Sequence, residues 1–222
     1  MSRERSRRSQ QLRRRIAHLA ARIMAEDGIE EYGAAKRKAA HQAGADDLRE
    51  LPTNDEIEAE LRAYYRTYRA AEHENRLQGL RAKALQAMRE LARFDPVLAG
   101  SVLTGVAGKY AEIHLFLFAE GVKEVELFLL SGGVAYRCRE RRMFVGDGPR
   151  TIAGFTLLGE EAEIHLWVFS AKDRHRGIRL TAEGKPMGWA KLAEVESLLN
   201  EGETQATGAP HAASEPRPGR SS

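Results

Sequence analysis

The sequence predicts an α+β protein, with helices over residues 16–95 packed on a small mixed β-sheet formed by residues 96–199. Three observations carry this. Before Pro96 apolar residues recur at intervals of three and four, the period of a helix with one buried face. After Pro96 they alternate, the period of a strand. The tetrapeptide Glu-Ile-His-Leu then occurs twice, at 112–115 and 163–166, each time inside an alternating run. A chain of 222 residues with 42% hydrophobic residues can bury a core of one domain plus a helical extension. No apolar run is long enough to span a membrane, and Cys138, the one cysteine, excludes an internal disulfide and a cysteine-based zinc site. An arginine-rich start without an apolar core is no secretory signal, so the expected location is cytoplasmic.

The net charge of +3 is unevenly spread. Residues 1–15 form a basic flexible arm holding seven arginines and one acid, Glu4. Such an arm can neutralise nucleic-acid phosphates; the other reading is a solvated tail. A first helix follows over 10–27, with Ile16, Leu19, Ala20, Ile23 and Met24 on one stripe and a stop at Asp27-Gly28. A second covers 30–42. Thr53 and Glu56 form a capping-box pattern that opens a helical stretch over 54–93. Unbroken, that stretch would be roughly 60 Å long at about 1.5 Å per residue, so a kink is expected at 72–79. Its stripes are Ile57, Leu61, Tyr64, Tyr65 and Tyr68, then Leu77, Leu80, Ala84, Met88 and Leu91. Helices this long need a cover, and a second copy of the chain is one candidate. The tyrosines read as packing residues. Glu72-His73-Glu74 lacks the spacing of a metal site, because adjacent helix residues diverge.

Beyond Pro96, strands are expected at 97–102, 112–118, 134–144, 151–158 and 162–169, with a helix at 121–131. In the second strand Glu112, His114, Phe116 and Phe118 share one face, and Ile113, Leu115 and Leu117 the other. Gly146-Asp147-Gly148-Pro149 is a turn, and Gly159-Glu160 joins an antiparallel pair. Arg137, Arg139 and Arg141 alternate with Cys138, which reads as a buried, inert thiol. A last helix covers 189–199, and residues 200–222, rich in Gly, Pro, Ser and Thr, read as a disordered tail.

Gly100-Ser101 at a strand end, then Glu112 and position 114 on a second strand, resembles the polymerase-beta-like nucleotidyltransferase superfamily over residues 97–169. The resemblance implies a nucleotidyltransferase-like sheet topology and metal-dependent transfer from a nucleoside triphosphate. It makes Gly100 and Ser101 the turn that approaches the phosphates, with Lys109 beside them. It makes Glu112 and Glu163 the catalytic carboxylates that hold Mg²⁺ or Mn²⁺. His114 stands where that family has its second acid. A non-catalytic nucleotide- or RNA-binding protein, or an oligomeric scaffold, is the competing class.

Period two brings Glu112, His114, Glu163 and His165 together if their strands are neighbours. Three readings of the four stay open. They are a Mg²⁺ site on the two glutamates, a mixed Glu/His site better suited to Zn²⁺ or Mn²⁺, and a polar pocket with neutral, hydrogen-bonded histidines. Gly105 to Tyr110 is not a phosphate-binding P-loop: Leu103 replaces its first glycine and Tyr110 its metal-binding hydroxyl. No Gly-x-Ser-x-Gly elbow is present.

Overall fold

Apolar residues from the two halves of the chain do not merge into one core; the division falls at Arg69, except that Val106 packs with the N-terminal helices. The computed structural model describes residues 2–29, 31–45, 51–146, 148–159, 162–180 and 184–207. Helices α1 (Ser2–Asp27), α2 (Tyr32–Ala43) and α3 (Asn54–Tyr68) share a cluster built on Ile16, Ala20, Ile23, Ala35, Ala39, Ile57, Leu61 and Tyr65. The apolar stripes of these three helices thus cover one another. α3 starts at the expected capping box: Glu56 N donates to Thr53 Oγ1 at 3.2 Å, and Thr53 N to Glu56 Oε2 at 2.6 Å. The same Glu56 accepts from Arg13 Nε at 2.9 Å, which ties α1 to α3. The basic arm is no separate segment. Residues 2–15 continue into α1 without a break, because nothing between them and Ile16 interrupts a helix.

The break expected at 72–79 falls earlier. Arg69 leaves helical geometry at φ −145°, and α4 (Ala70–Glu90) runs through Gly79 unbroken. Gly79 faces open space, where a missing side chain costs little packing. Thr67 Oγ1 bonds back to Ala63 O at 2.8 Å just before the break, a contact that bends helices. Tyr68, the end of the predicted stripe, is 70% exposed because the chain turns away there. α4 consequently belongs with the sheet: Leu77, Leu80, Ala84 and Met88 join its core.

The strands are β1 (Val97–Ala99), β2 (Ile113–Ala119), β3 (Tyr136–Val145), β4 (Gly148–Leu157), β5 (Ile164–Ser170), β6 (Ile178–Arg179) and β7 (Trp189–Ala190). Their order is β6-β3-β4-β5-β2-β1-β7. β2 and β5 are parallel, with His114 level with His165, and every other pairing is antiparallel. The described residues hold three more α-helices: α5 (Ser101–Thr104), α6 (Val122–Ser131) and α7 (Leu192–Thr207). The first strand is thus shorter than expected, since the chain turns at Gly100 and coils at Ser101. The tail expected from Asn200 is helical to Thr207, and 208–222 lie outside the described residues, as do Asp147 and Glu160 of the two predicted turns.

One sheet face carries Ile113, Leu115, Leu117, Leu166 and Val168 against Val125 and Leu129 of α6, Val195 of α7 and α4. The other carries Phe116, Phe118, Trp167, Phe169, Met143 and Ile152, and no α-helix contributes to its cluster. β2 is buried on both faces from Leu115 to Ala119, which explains the hydrophobic run there. β3 is the reverse. From Arg137 to Arg142 every residue is exposed, Cys138 included. The buried thiol expected there is corrected by the pairing: β6 meets β3 only at Phe144 and Val145, so the rest of β3 is a free edge among the described residues. No helix among the described residues is long and apolar enough to cross a membrane.

Candidate metal and nucleotide site

Parallel pairing of β2 and β5 in register is what assembles the site. Each copy of Glu-Ile-His-Leu sends its histidine to the open face at the start of a strand, and the glutamate before it reaches the same end. Glu112 Oε2 lies 3.1 Å from His165 Nε2 and 3.8 Å from His114 Nε2. Glu163 Oε2 lies 3.5 Å from His165 Nε2. Glu112, Glu163 and His165 each present one ligand atom, all within 4.8 Å of one another.

The two histidines differ in what holds them. His165 is 3% exposed and forms the floor. Its Nδ1 meets the hydroxyl of the fully buried Thr156 at 3.0 Å. Its Nε2 faces both carboxylates, with Glu112 Oε2 the nearer at 3.1 Å, but has no well-aligned hydrogen-bond partner. His165, as a hydrogen-bonding neighbour first and as a charge second, holds Glu112 below the usual carboxylate range despite partial burial. His114 is 19% exposed along its side chain. Burial, then the facing His165, lowers its pKa to about 4, so it is neutral at pH 7. Trp167 Nε1 donates to His114 Nδ1 at 3.4 Å. A neutral imidazole that accepts at Nδ1 carries its proton on Nε2, which turns an N–H toward Glu112 at 3.8 Å and leaves no lone pair there for a metal.

Three of the four predicted ligands therefore converge, and the fourth plays another part. The trio fits a divalent ion: two carboxylate oxygens would balance its charge, and the unpartnered Nε2 of a buried imidazole would find a ligand role. Mixed oxygen and nitrogen donors favour Mn²⁺ or Zn²⁺ over Mg²⁺, which prefers oxygen throughout. Thr156 lets His165 take that role, because its hydroxyl can donate to or accept from Nδ1.

Gly100 borders His114. Its φ of +80° lies where side chains are strained, and a Cβ would come within 3.1 Å of the His114 ring. Ala99, just before it, pairs with His114. Ser101 then opens α5, whose carbonyl end is held from the helical layer. Arg81 Nε donates to Val102 O at 3.2 Å, and Arg62 Nη1 to Thr104 O at 3.2 Å. Lys109 lies elsewhere: it lines a cleft against Asn75, Arg76 and Gly79 of α4, with its ammonium 5.3 Å from the Tyr110 ring.

Sequence reasoning missed Thr156, Trp167 and Arg81. Trp167 had a signal, since it lies two residues beyond His165 and so on the same face. Thr156 had none, because only the β4–β5 register places it opposite His165. No protein-family model, curated protein or solved structure matches the chain.

Proposed function

We propose that this protein binds a nucleoside triphosphate together with one divalent cation, at a site of nucleotidyltransferase type. The observation that carries the reading is the buried His165 Nε2, without an aligned partner, facing Glu112 and Glu163 on adjacent parallel strands. Those three residues would hold the ion, and Gly100 and Ser101 would meet the phosphates, as the sequence resemblance implies. A bound ion would offset the phosphates' charge and polarise a phosphoryl oxygen.

The chain's own groups favour binding over rapid transfer. His114 adds an uncharged N–H where the resembled family has a carboxylate, so the site carries one negative charge fewer and suits one ion rather than two. The missing side chain at Gly100 lets the His114 ring close up against the turn. Nucleotidyl transfer to an acceptor is the activity such a site would support once the second carboxylate is restored by His114→Asp.

Calorimetric titration of each nucleoside triphosphate with Mn²⁺, with Mg²⁺ and without metal tests this. The expected result is binding that requires metal, is tighter with Mn²⁺ and disappears in Glu112→Gln. Metal-independent binding, or none, would overturn it.

A further inference from the structure

The open face does not end at the trio. β3 lies two strands from β5, and its exposed half carries four arginines and one glutamate. Register places Arg137 opposite Thr156 and Arg139 opposite Gly154, and those residues pair in turn with His165 and Trp167. Arg137, Arg139 and Arg141 therefore line the same face as the carboxylates. Arg139 Nη2 reaches to 3.9 Å from Glu163 Oε2, so the row and the site are continuous. Arg137 and Arg141 form no ion pair among the described residues, and all three are exposed.

We propose that this row holds the sugar-phosphate backbone of a single-stranded polynucleotide and leads it to the Glu112–Glu163–His165 site as the acceptor. The assignment of the strand as acceptor rests on the nucleotide-binding reading above. Geometry favours a polynucleotide. Alternate residues of a strand stand about 6.5 Å apart, so the three guanidiniums cover about 13 Å, more than one triphosphate needs. Their even interval suits a chain of repeating phosphates, and each planar fork can take a phosphate in bidentate fashion. An acidic peptide would instead add along the free edge of β3 through its backbone, and the arginines project from the face. The row itself bears no aromatic residue, so binding is through the backbone, independent of sequence and sensitive to salt.

Fluorescence anisotropy of labelled polyuridine and polythymidine tests this across a salt series, with the full chain and with Arg137→Gln/Arg139→Gln/Arg141→Gln. These side chains are exposed, so the fold survives; circular dichroism checks it. The wild-type plot of log affinity against log salt should be steeper by about 2, near 0.7 for each phosphate contact. The triple variant should bind at least tenfold more weakly at low salt. Preference for polyuridine or polythymidine tells RNA from DNA, and both support the row. An unchanged slope would overturn it, as would polyglutamate competing as well as the oligonucleotides. Glu112→Gln separates the two readings. Strand binding that persists while metal-dependent nucleotide binding is absent even in the wild type keeps the row and removes the site. Nucleotide binding without a row-dependent strand interaction does the opposite.

Discussion

Two copies of one tetrapeptide, level with each other on neighbouring strands, end in different chemical states. His165 sits on the floor of the site, with Thr156 behind it and two carboxylates before it. His114 sits nearer the rim, accepts a hydrogen bond from an indole N–H on one nitrogen and is kept neutral by burial. The strands give both rings the same direction. The residues on the next strands over, Thr156 on β4 and Trp167 on β5, decide which ring can offer a lone pair. Identical sequence thus yields one candidate ligand and one donor.

Exchanging the histidines singly breaks the comparison most sharply. His165→Gln should reduce Mn²⁺ affinity by more than the roughly 100-fold ceiling for losing an outer partner, while His114→Gln should leave it within about threefold. Calorimetry on the metal alone measures both, and equal losses would mean that both rings ligate. Next in size is Thr156→Val, which keeps the shape but leaves His165 Nδ1 without its hydroxyl. Metal affinity should fall by about 10- to 100-fold with little loss of fold.

The smallest effect concerns His114, followed by nuclear magnetic resonance of its ring protons. Its folded pKa of about 4 lies below its ordinary 6.5, so the unfolded chain binds the proton more tightly. Its contribution to stability is therefore whole above pH 6.5 and is lost as pH falls toward 4. Trp167→Phe removes the donor that opposes protonation at Nδ1, and the midpoint should rise by roughly half a unit to one unit. A midpoint near 6.5 in the wild type would erase the contrast between the two rings.

Much of this was readable in the sequence because period two is a strict rule. The faces of β2 and β5, the repeated Glu-Ile-His-Leu and the capping box at Thr53 all follow from local pattern. What escaped depends on register or on distant packing. The break at Arg69 has no glycine or proline to announce it, and Gly79, which looked like a breaker, lies inside α4. Cys138 looked buried because alternation says which residues share a face, not whether anything covers that face. Lys109 follows Gly100-Ser101 closely in sequence, yet the loop between α5 and β2 carries it to the α4 side.

Arg81 is 8% exposed and reaches from α4 to the carbonyl of Val102, while Arg62 reaches from α3 to that of Thr104. The glycine-serine turn is thus fastened to the sheet at one end and to both helical layers at the other. Amide protons of that turn, including Thr104 N–H on Gly100 O and Val106 N–H on Ser101 O, then exchange with solvent only when the helices let go. The N-terminal half of the chain sets how long the glycine-serine turn keeps its shape.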